Sequence, residues 1–246
     1  MFITRMLKPR LLITRFAPHA DRLAQLLNEQ DVFSIAQPLY EVHIAPQYHD
    51  VTTLFAAKYD YIIAISAHAV KYTEQALKHK QWPDSPFIAV GKHTQHTLQN
   101  ATQQKVYCPE RYHDTRGLLA LPCLTFVQGK KILILRGVGG RKLLSQTLKL
   151  RGADVYYYQP YQRVAIALNM NALVKNWQQH EINGAIISSI ELLESISRQV
   201  SDKQWLYQLK IYVPSQRIID RALQLGWTKI FLLPSLADQK IIDYFK

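Results

Sequence analysis

The chain has 246 residues, and its 30 lysines and arginines against 18 aspartates and glutamates give a formal net charge of +12. Hydrophobic residues make up 48% and charged residues 20%, which excludes a disordered chain. No apolar run reaches the ~18 residues that a membrane-spanning helix requires. The basic residues are scattered, so their excess either serves solubility or attracts a small polyanionic ligand, and neither a nucleic-acid nor a membrane partner is expected.

The N-terminus and the cysteines predict a cytoplasmic protein without a metal centre. Arg5, Lys8 and Arg10 interrupt the first apolar stretch, which therefore lacks the form of a signal peptide. Cys108 and Cys123 are too few for a disulfide framework or a zinc site. The nine histidines show no zinc-ligand pattern with an acid.

The predicted elements occur twice along the chain, at an offset of about 121 to 123 residues. Each half opens with a strand, an amphipathic helix and a second strand, predicted at 11–15, 17–29 and 32–35 and again at 132–136, 139–151 and 153–156. Each half then passes a proline segment and two buried strands, predicted at 37–42, 61–66 and 87–90 and again at 159–164, 184–188 and 211–213. The repeat predicts two α/β domains of similar plan with an active-site cleft between them.

The strands are continuous apolar runs, such as Ile132-Leu-Ile-Leu135, rather than alternating ones. Strands buried on both faces have this pattern, so we predict an α/β protein with parallel sheets flanked by helices. The segments from Pro38 to Ala45 and from Pro160 to Ala167 occupy equivalent places in the repeat. They form either a two-stranded hinge ribbon or two unrelated surface loops.

Small and hydroxyl-bearing residues follow the buried strands, where the predicted helices begin. These residues are Ser66, Gly91, Thr94, Ser188, Ser189 and Ser215. Parallel α/β sheets bind ligands at the carboxyl ends of their strands, but serine is also an ordinary N-cap residue. Each position is therefore a candidate for ligand binding or for helix capping.

A glycine-rich loop, Arg136-Gly-Val-Gly-Gly-Arg141, joins a predicted strand to a predicted helix. Glycine allows close backbone approach to a ligand, and a helix N-terminus offers free N–H groups to an anion. The spacing matches neither the dinucleotide fingerprint nor a Walker A loop. The loop is either an anion site or a tight turn without a ligand. The candidate residues for an anion site are Arg136, Gly137, Gly139, Gly140 and Arg141.

Three segments of the chain are distinctive as an ordered set: Ile134-Leu-Arg-Gly-Val-Gly-Gly-Arg141, Gly152-Ala-Asp-Val155 and Pro160-Tyr161-Gln-Arg163. Supporting segments are Ile13-Thr-Arg15, Pro38-Leu39, Asp60 to Ser66, and Val90-Gly91 with Thr94. In these segments the chain resembles the uroporphyrinogen-III synthase family, over roughly residues 11–245.

The resemblance implies a monomeric cytoplasmic lyase of tetrapyrrole and haem biosynthesis. Such an enzyme cyclises hydroxymethylbilane to uroporphyrinogen III, with loss of water and inversion of ring D through a spirocyclic pyrrolenine, and needs no metal or organic cofactor. Every pyrrole of this substrate bears an acetate and a propionate, which suits the positive charge of the chain. A transient contact with hydroxymethylbilane synthase is a further expectation.

The resemblance also implies the domain organisation. Two α/β domains, the first discontinuous, are expected to be joined by a two-stranded antiparallel linker ribbon. The expected bounds are 1–37 and 168–246 for domain 1, 46–158 for domain 2, and 38–45 and 159–167 for the ribbon.

The resemblance assigns roles to the candidate residues. Tyr161 matches the family tyrosine thought to help the substrate hydroxyl leave, and its alternative role is that of a packing residue. Substrate carboxylates are expected to be held by hydroxyl and backbone N–H groups and by charge partners, at Arg15, Ser66, Gly91, Thr94, Arg136, Gly137, Gly139, Gly140, Arg141, Ser188, Ser189 and Ser215. Arg15 and Arg136 could equally be strand-end residues braced on the backbone.

Two other functions fit parts of the pattern. A bilobal small-molecule binding or sensor protein for an anionic ligand would also have two α/β lobes and a hinge. A nucleotide-binding enzyme would use the loop from Gly137 to Gly140. Product formation from hydroxymethylbilane, ligand binding without turnover, and nucleotide binding distinguish the three.

Overall fold

The continuous apolar runs of the sequence become central strands of two parallel β-sheets in the computed structural model. The structure describes residues 8–78 and 80–246. They divide into unit 1, formed by the described residues within 1–41 and 165–246, and unit 2, formed by those within 42–164. The first seven residues of the expected domain 1 lie outside the described residues.

The described residues contain eleven strands. They are β1 (Leu11–Ile13), β2 (Ser34–Ala36), β3 (Tyr40–Ile44), β4 (Tyr61–Ala64), β5 (Phe87–Ala89), β6 (Val106–Tyr107), β7 (Lys131–Gly137), β8 (Asp154–Ala165), β9 (Gly184–Ile186), β10 (Lys210–Val213) and β11 (Ile230–Leu232).

The same residues contain eleven α-helices. They are α1 (His19–Asn28), α2 (Val51–Phe55), α3 (Ala67–Leu77), α4 (Lys92–Thr102), α5 (Thr115–Leu119), α6 (Leu143–Leu150), α7 (Met170–Gln179), α8 (Ile190–Gln199), α9 (Lys203–Leu206), α10 (Gln216–Gln224) and α11 (Asp238–Phe245). Two short 3-10 helices cover Pro46–Asp50 and Pro122–Leu124. None of the described helices combines the length and apolarity needed to cross a membrane.

Five parallel strands of each sheet follow the same order: the second strand of a half's opening segment, then its first strand, then three further strands in chain order. In unit 1 the order is β2-β1-β9-β10-β11, with every neighbouring pair parallel. In unit 2 it is β3-β8-β7-β4-β5-β6, and the five strands from β8 to β6 are parallel. The prediction of parallel sheets flanked by helices is therefore confirmed.

The internal repeat is exchanged between the units. The opening strand–helix–strand of the first half, β1-α1-β2, shares a sheet with β9 to β11 of the second half. The opening segment of the second half, β7-α6-β8, shares a sheet with β4 to β6 of the first half. Each unit thus combines the opening of one half with the remainder of the other.

Both faces of the central strands are buried, as the sequence predicted. In β4, Ile62 and Ala64 pack in one apolar cluster, whereas Ile63 packs in another. In β7, Leu133 and Leu135 alternate in the same way with Ile132 and Ile134. Successive side chains of a strand point to opposite faces, so helices must cover both sides of the sheet.

The proline segments pair with each other rather than forming unrelated loops. The Ala45 N–H donates to the Pro160 carbonyl at 3.0 Å, and the Ile166 N–H donates to the Leu39 carbonyl at 3.1 Å, so β3 and β8 run antiparallel. The chain crosses between the units after residue 41 and after residue 164. Both crossings fall inside the segments predicted as the linker ribbon.

The helix predicted at 139–151 begins only at Leu143, so the loop from Gly137 to Gly140 precedes the helix N-terminus rather than forming it. A strand boundary is wrong as well. A strand at 153–156 followed by a separate connector was expected, but β8 is continuous from Asp154 to Ala165. Pro160 lacks an N–H but lies in a bulge, where the register of β7 and β8 shifts between the pairs Leu135–Tyr158 and Gly137–Tyr161, so its position is compatible with the strand. The predicted helix stop at Gly152 is confirmed, since this residue follows α6 with a φ of +86°.

We predict that Asp60→Asn destabilises the protein at neutral pH but not in acid. Hydrogen bonds from the Lys130 ammonium at 2.8 Å and the Lys131 N–H at 2.9 Å hold the pKa of Asp60 below its ordinary value. A lowered folded-state pKa stabilises the protein above the unfolded-state pKa, and this stabilisation is lost as the pH falls through the folded-state pKa. Urea unfolding should show the difference between variant and wild type shrinking from about pH 5 to pH 3.

The matched control for this experiment is Asp84→Asn, at an exposed aspartate in the same unit. Its unfolding free energy should follow that of the wild type across the same pH range. A constant difference between Asp60→Asn and the wild type would contradict the electrostatic explanation.

Candidate functional site

The carboxyl ends of neighbouring strands bring several predicted site residues to one edge of the unit 2 sheet. The register pairs Ala64 of β4 with Ala89 of β5 and with Leu135 of β7. Ser66 and Gly91 therefore follow β4 and β5 at the same edge at which Gly137 ends β7. This is the edge at which α/β sheets bind ligands.

Tyr161 and Ser66 form the closest pair of predicted site residues. Their hydroxyl oxygens are 3.0 Å apart, within hydrogen-bond distance. Tyr161 lies on β8 opposite Gly137 of β7, and only 4% of its surface is exposed. The ring of Tyr161 thus packs in the core while its hydroxyl contacts a predicted site residue, and its catalytic role stays a prediction.

The Ser66–Tyr161 pair retains one O–H for a ligand. The Ser66 hydroxyl accepts a hydrogen bond from the Ala69 N–H at 3.1 Å and so caps α3. Each of the two hydroxyls carries one proton, and their shared hydrogen bond uses one of the two. If Ser66 donates to the phenol oxygen, the O–H of Tyr161 can donate to a ligand. The hydrogen bond from Ser66 then polarises this O–H and makes it a stronger donor.

The ring of Tyr161 is enclosed on several sides. A Cβ atom added at Gly137 would lie 2.6 Å from its Cζ atom. The ring of Tyr72 stacks on it with centroids 5.7 Å apart, and the ring of His68 is tilted against it at 5.9 Å. The absence of a side chain at Gly137 is therefore a requirement for the observed position of the phenol.

Arg136 holds the glycine loop rather than extending from it. Its guanidinium donates to the carbonyls of Gly137 at 3.2 Å and Arg141 at 3.1 Å, and also to that of Gly139. Its Cζ atom lies 5.1 Å from the ring centroid of Tyr157, a cation–π contact. The bracing role is the one that these contacts support, and a direct contact of Arg136 with substrate stays a prediction.

The remainder of the loop combines unusual backbone with an exposed charge. Gly139 and Gly140 have φ values of +79° and +78°, which favour glycine. A Cβ atom at Gly140 would also lie 2.8 Å from the Nη2 atom of Arg136. Arg141 is exposed, so its side chain is available to an anion in solution.

Gly91 and Thr94 begin α4 at the same edge. Gly91 is the N-cap, and Thr94 lies buried in the first turn. His113 packs against Gly91, because an added Cβ would lie 2.9 Å from the His113 Cβ. Burial raises the pKa of Cys108, although Lys92 opposes the shift, and the raised pKa disfavours the thiolate form of this cysteine.

Unit 1 brings its own predicted residues to the carboxyl edge of its sheet. Ser188 and Ser189 follow β9, and Ser215 follows β10, the neighbouring strand. The Ser189 hydroxyl accepts from the Leu192 N–H at 3.2 Å and caps α8. Ser215 begins α10 without a capping bond from its side chain.

Arg15 follows β1 at this edge and is held by an acid. Its Nη1 atom donates to Asp238 Oδ1 at 2.8 Å, and both side chains are mostly buried. Arg22 adds a second cation, with its Nε atom 3.5 Å from Asp238 Oδ2. Arg15 is thus braced, although by a carboxylate rather than by backbone, and its contact with substrate stays a prediction.

Four residues that contact predicted site residues were not themselves predicted from the sequence: His68, Tyr72, His113 and Asp238. The signal for the first two was their spacing of four residues, which places them on one face of a helix that begins after Ser66. Nothing local to the sequence indicated that Tyr161 would lie against that face. Within 8–78 and 80–246, no group of three or more histidine, cysteine, aspartate or glutamate residues could hold a metal ion.

Comparison with known sequences identifies the family. The family model described as Uroporphyrinogen-III synthase HemD matches residues 21–235. The chain belongs to the uroporphyrinogen-III synthase family. It is 32% identical over 228 residues to the uroporphyrinogen-III synthase of Escherichia coli (strain K12), covering 89% of this chain and 93% of that one. It is 29% identical over 201 residues to that of Proteus mirabilis, covering 80% and 99% of the two chains.

Solved structures of the family have the same fold. A mutant uroporphyrinogen III synthase from the extremely thermophilic bacterium Thermus thermophilus matches with a TM-score of 0.68 at 14% identity, covering 96% of this chain and 97% of that one. The uroporphyrinogen-III synthetase from Helicobacter pylori 26695 matches with a TM-score of 0.63 at 15% identity, covering 97% of this chain and 100% of that one. At these identities the likeness concerns the fold alone.

We predict that Gly137→Ala lowers the free energy of unfolding by about 1–3 kcal/mol, because the new methyl group overlaps the ring of Tyr161. Urea denaturation measures the loss. In a Tyr161→Ala background the same substitution should cost much less, because the overlapping atoms are absent. An equal cost in both backgrounds would rule out the steric explanation.

Proposed function

We propose that this protein is a uroporphyrinogen-III synthase that converts hydroxymethylbilane to uroporphyrinogen III. The proposal assigns it to the lyases, since closing the ring releases water. Family membership supports this activity. The observation on which we base the choice of catalytic residue is the contact between the hydroxyls of Ser66 and Tyr161. We further propose that it acts as a cytoplasmic monomer that meets hydroxymethylbilane synthase only transiently.

Tyr161 is the residue that we propose to assist departure of the hydroxyl group from ring A. A hydrogen bond from the phenol stabilises negative charge that develops on the leaving oxygen. Acceptance of a hydrogen bond from Ser66 strengthens the phenol as a donor. The substituted carbon of ring D then attacks the carbon on ring A that has lost the hydroxyl, and this bond gives the spirocyclic pyrrolenine. The pyrrolenine fragments and closes again with ring D inverted.

Positioning is the larger contribution in this proposal. The hydroxymethyl group leaves readily, and uncatalysed closure gives the uninverted type I isomer. The protein must therefore hold the flexible substrate in one conformation before it closes incorrectly. At the unit 2 edge we assign the carboxylate contacts to Thr94 and Arg141, to Gly91, and to the loop from Gly137 to Gly140.

The unit 1 edge supplies a second set of donors. The side chains of Ser188 and Ser215 and the first N–H groups of α8 and α10 are suited to carboxylates, because a helix N-terminus carries a partial positive charge. Ser189 contributes its backbone, since its hydroxyl caps α8. We keep Arg15 as a charge partner whose guanidinium is fixed by Asp238.

The activity is tested with freshly prepared hydroxymethylbilane. Products are oxidised and the porphyrin isomers are separated by chromatography, with heat-inactivated protein as the control. The proposal expects the type III isomer to predominate. Formation of the type I isomer alone would refute it, and ligand binding without turnover would favour the anion-sensor alternative.

We predict that Tyr161→Phe lowers kcat by about 10- to 100-fold while the protein remains folded. The substitution removes only the hydroxyl, so the ring still packs against Gly137 and Tyr72. Initial rates with hydroxymethylbilane and circular dichroism measure the two effects.

The matched control is Tyr158→Phe, which removes a buried phenol from the same strand. The Tyr158 hydroxyl donates to the Tyr48 carbonyl at 2.8 Å, and burial raises its pKa. This variant should lose stability and retain kcat. An unchanged kcat in Tyr161→Phe would remove Tyr161 from the mechanism.

A further inference from the structure

Helix α3 places two aromatic side chains against the phenol of Tyr161. His68 and Tyr72 are four residues apart, and residues with this spacing share a helix face. Both rings meet that of Tyr161, with centroid distances of 5.9 Å and 5.7 Å. Ser66 is the N-cap of the same helix, and its hydroxyl contacts the Tyr161 hydroxyl. One helix therefore contacts both the ring and the reactive end of this tyrosine.

Tyr72 is itself fixed at both ends. Its ring is stacked on that of Tyr161, with an interplanar angle of 29°. Its hydroxyl donates to the carbonyl of Val42 on β3 at 3.1 Å. Tyr72 and Val42 are both partly buried against the apolar cluster that contains Tyr161. The hydrogen bond to β3 thus limits rotation of the ring that covers Tyr161.

We propose that Tyr72 is a positioning residue that holds the phenol of Tyr161 in line with Ser66. The inference rests on the proposed function, because its consequence is a rate. On another side of the phenol the ring faces Gly137, which has no side chain to hold it. Removal of the Tyr72 ring therefore opens space into which the Tyr161 ring rotates. This rotation separates the two hydroxyls.

A small displacement of this phenol has a large kinetic effect. A hydrogen-bond donor acts on a leaving group only at a short distance and near-linear angle. Misplacement of a catalytic group by about 1 Å can reduce the rate by about 100-fold. Tyr72 lies beside the ring rather than at the hydroxyl, so the effect is expected on kcat more than on KM.

The experiment compares Tyr72→Leu, Tyr72→Phe and the matched control Phe55→Leu. Phe55 is a partly buried aromatic residue against the same apolar cluster, and its ring partners are Trp82 and Tyr158 rather than Tyr161. For each variant kcat, KM, the ratio of type III to type I product and the midpoint of thermal unfolding are measured with hydroxymethylbilane.

We expect Tyr72→Leu to lower kcat by about tenfold, with KM changed less than about threefold. Its fraction of type III product should fall, because uncatalysed closure competes with the slowed reaction. Tyr72→Phe retains the stacked ring and should recover kcat to within about threefold of wild type. Phe55→Leu should lose thermal stability while kcat is retained.

A double-mutant cycle separates positioning from a general loss of structure. If Tyr72 acts through the Tyr161 hydroxyl, Tyr72→Leu should lower kcat by no more than about twofold in a Tyr161→Phe background. Undiminished loss in that background would overturn the inference. It would also fail if Tyr72→Leu kept wild-type kcat, or if Phe55→Leu lost as much kcat at the same thermal midpoint.

The wild-type measurement distinguishes this failure from failure of the proposed function. If the wild type gives no type III product, the function itself is refuted before any variant is interpreted. If the wild type is active and the Tyr72 variants behave like Phe55→Leu, only the positioning role is refuted.

Discussion

The hydroxyl of Ser66 satisfies two partners at once, and the carboxyl edge of unit 2 is arranged around that constraint. It caps α3 through the Ala69 N–H and shares a hydrogen bond with Tyr161. The second contact exists because the parallel register of β7 and β8 places Tyr161 opposite Gly137. Gly137 must lack a side chain for the phenol to fit there. A helix cap, a strand register and one glycine thus fix a single hydroxyl.

The sequence was sufficient for the fold class and for its internal repeat, because both depend on local patterns. Continuous apolar runs such as Ile132 to Leu135 indicated strands buried on both faces, and β7 has this environment. The exchange of opening segments between the units left no local signal. A strand–helix–strand unit buries the same apolar faces whichever half supplies its neighbours. Only the pairing of β1 with β9 and of β4 with β7 distinguishes the two arrangements.

The site residues were predictable to the extent that they follow strands. Ser66, Gly91 and Gly137 could be placed at one edge because parallel strands end together. The hydrogen-bond partner of a charged side chain was not predictable, because it depends on the folded conformation of a loop in one case and on a distant residue in the other. Arg136 donates to its own loop, and Arg15 is held by Asp238, which is 223 residues away in sequence. Such contacts have no signature in the local sequence.

The character of the described donors agrees with the proposed reaction. A strong buried acid would need desolvation and a partner for its charge, whereas neutral hydroxyls such as those of Ser66 and Tyr161 are held in place by packing and shared hydrogen bonds. Arg136 and Arg15 have internal hydrogen-bond partners, so the positions of their charges are set before a substrate carboxylate arrives. The substrate closes readily without a catalyst, but it gives the wrong isomer. Rigidly held neutral donors suit this reaction better than a strong acid, because selectivity for the type III isomer depends on the shape in which the substrate is held.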